Sequence, residues 1–188
     1  MQGLVIPESQ ALIFLSDGVN VNGEYFMKRL YIVRHAKSDW SYVGLADFDR
    51  PLNKRGKRDA PRMGKYLKRA WKVEPDYVLC STAKRVRSTV KRLRKSLKFS
   101  KKRIAWLERI YSGHSGDVLD LIRQVDNRYR QVMVIGHNPD MTVLVNELTG
   151  SAIANVPTCG VAGIDLLIDD WSDAVSGDLV FFEVPKSI

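Results

Sequence analysis

Two histidines directly follow short apolar segments, at positions where an imidazole can stand at the edge of a sheet. Residues 30–33 run into Arg34 and His35, and residues 132–135 run through a glycine into His137. Folds of the α/β class place ligands and chemistry at the carboxyl ends of their strands. One histidine alone is usually structural, but two of them at two strand ends predict a shared catalytic site.

Two arginines accompany these histidines. Arg34 precedes His35 directly, and Arg85 stands at the start of a predicted helix that follows the apolar residues 77–80. A guanidinium binds phosphoryl oxygens through paired hydrogen bonds, and the first turn of a helix favours anions. Two imidazoles and two guanidiniums, without clustered carboxylates for a metal, predict a phosphate site in which a histidine is the nucleophile. We expect neither a metal nor another cofactor.

The elements that must position these residues alternate between strand and helix. Apolar side chains recur at helical spacing in residues 53–71, 86–97, 118–125 and 141–148. Short apolar strands are predicted at residues 77–80 and, after the second histidine, near residues 163–168 and 179–184. This order predicts an α/β fold: a three-layer sandwich with a mostly parallel, mixed central sheet and helices on both faces. The last strands could be antiparallel.

The sequence changes character at Met27. Residues 1–26 contain no Lys or Arg and only one short apolar run, Ala11 to Leu15, whereas the first predicted core strand begins right after Met27. We therefore predict a single domain over residues 27–188 and an extension outside the core fold over residues 1–26. That extension is either loosely attached or present because translation was assigned to an upstream start.

Basic charge is concentrated in one part of the chain. Residues 54–103 hold 20 of the 30 Lys and Arg residues and three of the 21 acidic ones. Such a block can bind nucleic acid, but few aromatic side chains that could stack on bases are interleaved with it, so we do not expect a nucleic-acid partner. The simpler interpretation is the solvated faces of two amphipathic helices. The alternative is attraction of an anionic substrate or an acidic partner protein.

Cysteine content and hydropathy indicate the cellular compartment in which we expect the protein. Cys80 and Cys159 have no close partner spacing, which is typical of buried structural thiols in a reducing, cytoplasmic setting. No run of about 18 apolar residues is present, so we expect no membrane association.

Four segments of the chain resemble, in their order, the motifs of the histidine phosphatase superfamily, which includes phosphoglycerate mutases and acid phosphatases. The segments are Arg34–Ala36, Arg50–Gly56, Ser81–Thr89 and Gly136–Asn138. The compact length and residues 49–52 are most similar to the SixA-type branch, the phosphohistidine phosphatases. The resemblance extends from Met27 to about Val184 and implies a phosphoglycerate mutase-like fold. The family has glycine where this chain has Ala36, a departure that a negative φ would accommodate.

The resemblance also implies roles. His35 would attack phosphorus through Nε2 while an acceptor, most simply a backbone carbonyl, holds Nδ1–H. Arg34 and Arg85 would clamp the phosphoryl oxygens, and His137 would donate to them. Arg50 matches a position near the mouth of the pocket and is a candidate substrate contact. Arg87 is expected to point elsewhere on its helix.

The general acid is a separate question. Glu108 belongs to a Glu-Arg-x-Tyr segment that resembles the one carrying the proton donor in phosphoglycerate mutases. The alternative is an exposed glutamate at the end of a strand, and Asp39, Asp47 or Asp49 in the loop after the nucleophile could substitute. His114 is interpreted as a loop residue outside the site.

The expected function is a phosphatase that hydrolyses phosphohistidine or a small phosphoester through a phosphorylated His35. Its partners would be a phosphorylated protein histidine or a small phosphorylated metabolite. One alternative is a phosphoglycerate-type phosphomutase, for which the chain is short. Another is a non-catalytic basic binding module, which the presence of all four central residues disfavours.

Overall fold

The computed structural model describes residues 27–188, so the predicted extension over residues 1–26 lies outside the described residues. The strands are β1 (Lys28–Arg34), β2 (Tyr77–Cys80), β3 (Ile104–Trp106), β4 (Gln131–Gly136), β5 (Val161–Leu166) and β6 (Asp178–Glu183). The α-helices are α1 (Lys54–Trp71), α2 (Lys84–Leu97), α3 (Arg109–Ser112), α4 (Ser115–Arg123) and α5 (Asp140–Thr149). Short 3-10 helices cover Asp47–Asp49, Lys101–Arg103 and Trp171–Asp173.

The strands form one mixed sheet in the order β3-β2-β4-β1-β5-β6. The pairs β3-β2, β2-β4 and β4-β1 are parallel. β5 runs antiparallel to β1, and β6 runs antiparallel to β5. The predicted mostly parallel sheet with antiparallel final strands is therefore confirmed.

β1 and β4 lie side by side in the centre of this sheet, which decides where the two histidines meet. Arg34 pairs with Gly136 in the strand register. The backbone amide of His35 then donates to the carbonyl of Gly136 at 3.0 Å. The histidines that follow both strands thus leave the same edge of the sheet next to each other.

Side chains of β1 alternate between two apolar layers, as the pleat of a strand requires. Tyr31 and Val33 pack in one layer with α1 and α2. Leu30 and Ile32 pack in the other with α4 and α5. Because helices cover both faces, the predicted three-layer α/β sandwich is confirmed.

The start of α1 holds the chain that follows His35. The side chain of Asn53 caps the helix by accepting the backbone amide of Gly56 at 2.9 Å. The backbone amide of Asn53 donates to the carbonyl of Lys37 at 3.0 Å. A Cβ on Gly56 would lie 2.3 Å from that same oxygen, so only glycine allows the approach of helix and loop.

Both cysteines are buried and free, in keeping with the sequence prediction. Burial raises the pKa of Cys159 to about 12 and that of Cys80 well above its usual value, which disfavours the reactive thiolate form of both. Among residues 27–188, no helix is both long and apolar enough to cross a membrane.

Candidate active site

His35 follows β1 with its ring almost completely buried. Its Nδ1 lies 2.8 Å from the carbonyl oxygen of Ala36, so Nδ1 carries the proton and donates to that oxygen. This is the backbone acceptor that the sequence analysis predicts. Thr89 holds the same residue, because its hydroxyl accepts the amide of Ala36 at 3.0 Å. Ala36 is not among the residues with positive φ, so its methyl group is accommodated without strain.

Arg85 joins the two histidines. Its Nε lies 3.3 Å from Nε2 of His35 and its Nη2 lies 3.0 Å from Nδ1 of His137. The two imidazole centroids are 5.1 Å apart. The structure therefore brings together three of the residues predicted from the sequence, with the unprotonated Nε2 of His35 facing a guanidinium.

His137 is held from its other side by Ser81, at the end of β2. Nε2 of His137 lies 2.8 Å from the Ser81 hydroxyl, which also accepts the amide of Ala83 at 3.2 Å. Ser81 is fully buried. Tyr111 packs edge-on against His137, with ring centroids 5.6 Å apart. The sequence motif contains Ser81 but does not indicate that its hydroxyl contacts a site histidine.

Arg34 points along the same edge of the sheet towards the loop before β5. Its Nη1 donates to the carbonyl of Val156 at 2.8 Å and to the side chain of Asn155 at 3.2 Å. Its Nε is buried and has no hydrogen-bond partner among the described residues. A buried donor without a partner is costly, and a phosphoryl oxygen would satisfy it.

Asp47 contributes a carboxylate that the sequence analysis named only as a possible acid. Nη1 and Nη2 of Arg85 donate to its carbonyl at 2.6 Å and to its carboxylate at 2.8 Å. The hydroxyl of Tyr111 lies 3.3 Å from the same carboxylate. Partial burial acts to raise the pKa of Asp47, but Arg85, Arg50 and these hydrogen bonds outweigh it and lower that pKa. Asp47 is therefore an ionised partner of Arg85 rather than a proton donor.

Arg50 reaches the same carboxylate from outside. Its Nε lies 3.8 Å from Oδ1 of Asp47, and its guanidinium stacks 3.5 Å from the ring centroid of Trp40. Nη1 of Arg50 is buried without a hydrogen-bond partner among the described residues. Asp47 thus lies between Arg50 and Arg85, and contact of Arg50 with substrate stays a prediction.

Glu108 lies apart from this cluster. It is exposed at the start of α3, and the hydroxyl of Thr82 donates to its carboxylate. Within residues 27–188, no hydrogen bond or ion pair joins Glu108 to either histidine or to Arg34 or Arg85. Its role as general acid stays a prediction.

Two other residues lie where the sequence analysis places them, outside the cluster. Arg87 donates to the carbonyl of Thr82 at 2.8 Å and lies 4.5 Å from the ring centroid of Trp106. His114 precedes α4, where its amide donates to Asp117 at 2.9 Å.

Burial keeps both site histidines neutral. Desolvation lowers the pKa of His35 from 6.5 to about 4; the Ala36 carbonyl opposes this shift, and Arg85 reinforces it. Desolvation, followed by the charges of His35 and Arg85, lowers the pKa of His137 from 6.5 to about 3. At neutral pH, His35 therefore presents an unprotonated Nε2, the form that a nucleophile requires.

Known proteins resemble this chain in sequence and fold. Residues 30–117 match the sequence profile of the Histidine phosphatase superfamily (branch 1). An uncharacterized protein of Mycobacterium tuberculosis is 35% identical over 166 residues, which cover 82% of this chain and 100% of that protein. The chain belongs to the histidine phosphatase superfamily.

Solved structures place this histidine phosphatase in the SixA-type branch. A protein assigned as the phosphohistidine phosphatase SixA of Agrobacterium tumefaciens matches with a TM-score of 0.73 at 29% identity, covering 84% of this chain and 98% of that one. A protein histidine phosphatase SixA complexed with tungstate matches with the same TM-score of 0.73 at 26% identity, covering 85% and 98%.

The site of this histidine phosphatase combines one nucleophilic nitrogen with several fixed donors. Nε2 of His35 faces the guanidinium of Arg85, and the free Nε of Arg34 lies at the end of the same strand. Such an arrangement can attack a phosphorus atom and neutralise its oxygens at the same time. Within residues 27–188, no group of three or more His, Cys, Asp and Glu side chains could hold a metal ion.

Proposed function

We propose that this histidine phosphatase hydrolyses phosphohistidine in proteins through a phosphorylated His35. One observation carries the proposal: Nδ1–H of His35 is bound by the Ala36 carbonyl, so the lone pair of Nε2 is presented to Arg85. The SixA structures that resemble the chain support the same substrate class. Two buried free thiols support a reducing, cytoplasmic location.

In the first step, Nε2 of His35 forms a bond to phosphorus while the bond from phosphorus to the leaving nitrogen breaks. The substrate ring, protonated on its other nitrogen, leaves as neutral imidazole. The new phosphoimidazole carries positive charge, and the carbonyl of Ala36 stabilises it through Nδ1–H. Arg85 in the first turn of α2 and Arg34 at the end of β1 bind the equatorial oxygens, since the two guanidiniums lie at the same edge of the sheet as His35. His35 does not have to lose a proton before it attacks, because its ring is neutral and its Nε2 is unprotonated.

In the second step, water attacks the phosphorus atom, the bond to Nε2 breaks, and phosphate and neutral His35 are released. His137 stays in place beside the phosphoryl group because Ser81 holds its Nε2. Nη2 of Arg85 donates to Nδ1 of His137, so the proton of His137 lies on Nε2 and is donated to the Ser81 hydroxyl. His137 therefore holds Arg85 in place, and the donor role that the resemblance implies for His137 stays a prediction.

The acid-base groups favour a good leaving group. Asp47 is held ionised by Arg85, and Glu108 is bound to Thr82 outside the central cluster. Imidazole, whose conjugate acid has a pKa of about 6.5, leaves far more easily than an alkoxide and needs little acid assistance. Phosphohistidine therefore suits this site better than an alkyl phosphate, for which Glu108 stays our candidate donor. No observation favours the phosphomutase or the non-catalytic module.

A substrate panel tests the proposal. A phosphohistidine peptide, an aryl phosphate and an alkyl phosphate are compared, and we expect kcat/KM for the peptide to exceed that for the alkyl phosphate by about a hundredfold, the scale of general-acid assistance. His35→Ala should abolish turnover. Alkaline quenching should trap an alkali-stable, acid-labile phosphoryl group in the wild type and in the matched control His114→Ala, but not in His35→Ala. Full turnover by His35→Ala, or a preference for the alkyl phosphate, would contradict the proposal.

A further inference from the structure

The exposed side of α1 carries an uninterrupted line of positive charge. Its members are Arg55, Arg58, Arg62, Lys65 and Arg69, which we call the α1 stripe. The spacing of three, four, three and four residues keeps all five on one side of the helix. Since a helix rises about 1.5 Å per residue, the stripe is about 21 Å long. All five residues are exposed.

The stripe is not the arrangement that helix stability favours. Like charges three and four residues apart repel one another, and cations at the first turn oppose the helix dipole. The first turn of α1 nevertheless contains no acidic residue. The buried Asp59 pairs with Arg58 at 2.9 Å and with Arg55 at 3.7 Å. Among residues 27–188, no ion pair involves the other three members of the stripe. A helix face that only had to be solvated could instead alternate positively and negatively charged side chains.

The N-terminal end of the α1 stripe, at Arg55, adjoins the catalytic residues. Nη2 of Arg55 lies 3.3 Å from the hydroxyl of Thr158. The next residue, Cys159, donates its amide to the carbonyls of Arg34 at 3.1 Å and His35 at 3.0 Å. In the same loop, Asn155 accepts from Nη1 of Arg34 at 3.2 Å. One short loop therefore contacts both the stripe and the nucleophile.

Two cavities lie along the stripe and share Arg58. The first, of about 450 Å³, lies between Arg55, Asn155 and the chain near Lys186. The second, of about 510 Å³, is lined by Arg58 and by the other stripe residues Arg62, Lys65 and Arg69. The basic side chains that line the two cavities thus lead away from the edge of the sheet where the phosphoryl group would bind.

A membrane surface, a nucleic acid or an acidic polypeptide could bind to such a basic surface, and the structure favours the polypeptide. The apolar side of α1, with Ala60, Met63 and Leu67, is buried in the core, so the helix has no face to insert into a membrane. Tyr66, the one aromatic residue lining the second cavity, donates its hydroxyl to Glu183 at 3.0 Å. Nucleic-acid binding would call for aromatic side chains free to stack on bases.

We propose that the α1 stripe is the docking surface for an acidic segment of the protein that carries the phosphorylated histidine. This inference rests on the proposed function, because it assigns the substrate of the same site. Carboxylates along the segment would pair with the stripe while the phosphohistidine reaches His35. The stripe would lower KM for acidic substrates and leave the chemical step unchanged, since none of its members contacts His35, Arg85 or His137.

The test uses two synthetic peptides with one phosphohistidine each, one flanked by four glutamates and the other by four glutamines. The stripe variant combines Arg62→Gln, Lys65→Gln and Arg69→Gln; glutamine is a good helix former, so the helix should persist. The control combines Lys91→Gln, Lys95→Gln and Lys101→Gln, which remove the same charge from exposed positions on α2 and just after it. Melting curves verify that all three proteins are folded.

For the wild type and the control, we expect KM for the glutamate peptide to be about tenfold below that for the glutamine peptide, the scale of three exposed ion pairs. In the stripe variant the two KM values should agree within about twofold, with kcat and aryl phosphate hydrolysis unchanged. An undiminished preference in the stripe variant, or an equal loss in the control, would overturn the docking proposal.

A binding experiment distinguishes failure of the proposed substrate from failure of the proposed docking surface. If no protein hydrolyses either peptide while the aryl phosphate is turned over, phosphohistidine is not the substrate. Binding of the unphosphorylated glutamate peptide to His35→Ala, measured by fluorescence anisotropy with and without the stripe substitutions, still decides the docking surface. Equal affinities would overturn it, and a loss of about tenfold in the stripe variant alone would support it.

Discussion

The neutral pair of site histidines makes the stability of this protein depend on pH in a defined direction. Desolvation lowers the pKa of His35 to about 4 and that of His137 to about 3 in the folded state. In the unfolded chain each ring titrates near its ordinary value of 6.5. Between that value and the folded pKa, the unfolded state binds protons that the folded state does not. The free energy of unfolding therefore falls as the pH is lowered through this range.

The size of the effect follows from proton linkage. Each ring contributes about 1.4 kcal/mol per pH unit once the pH is well below 6.5 and still above the folded pKa. From pH 7 to pH 5, the contribution of each ring falls by about 2 kcal/mol, so the pair accounts for about 4 kcal/mol. The two rings repel each other only when both are charged, which raises the cost of the second proton that the folded state takes up.

Urea unfolding at pH 7 and pH 5 measures this loss. The wild type is compared with the double variant His35→Gln/His137→Gln, in which the carboxylates titrate as before but the two rings are absent. We expect the wild type to lose about 4 kcal/mol more than the double variant over this interval. The control His114→Gln, which removes an exposed histidine, should behave like the wild type. If the wild type and the double variant lose the same stability within about 1 kcal/mol, the histidines are not desolvated as described.

Three further predictions concern the site and the domain boundary. Activity should survive exhaustive chelation, because Arg34 and Arg85 supply the charge that a metal would otherwise provide; loss of activity restored by added metal would contradict this. Ser81→Ala should lower kcat on an aryl phosphate by about tenfold or more, since it leaves Nε2 of the buried His137 unpaired; an unchanged kcat with an unchanged melting temperature would show that Ser81 does not position the ring. Deletion of residues 1–26 should leave the melting temperature and kcat essentially unchanged, because β1 is already bordered by β4 and β5; a fall of several degrees would show that the extension belongs to the domain.

Most of the fold could be predicted from periodicity, and so could the position of His35, the proposed nucleophile. An apolar strand that stops at Arg34 and His35 has to deliver those side chains to an edge of the sheet, whatever the details of its neighbours. The acceptor for Nδ1 of His35 is local, the carbonyl of the next residue, so it too could be anticipated.

Contacts between distant loops could not be predicted in the same way. Asp47 meets Arg85 only because the loop between β1 and α1 folds back across the start of α2. Ser81 meets His137 only because β2 and β4 are neighbours in the sheet. For Glu108, the local motif indicated a proton donor, but the fold directs its carboxylate to the Thr82 hydroxyl. Side-chain partners of this kind depend on strand order and loop path, neither of which a spacing pattern specifies.

The hydrogen bonds of Arg85 link binding to substrate selection. Its Nε and Nη2 contact the two histidines, and its Nη1 and Nη2 contact Asp47, so these partners occupy four of the five N–H groups of the guanidinium. A phosphoryl group that binds through two N–H groups therefore has to replace one of these partners. The histidines are buried, whereas the side chain of Asp47 is 48% exposed in a short 3-10 helix without buried residues, so Asp47 is the partner that can move. A phosphoryl group with two negative charges competes better for a guanidinium than a singly charged carboxylate does, whereas a phosphodiester offers only one charge. The Asp47 contact therefore favours monosubstituted phosphoryl groups, such as phosphohistidine, over diesters, and it keeps Arg85 oriented towards Nε2 of His35 until such a group arrives.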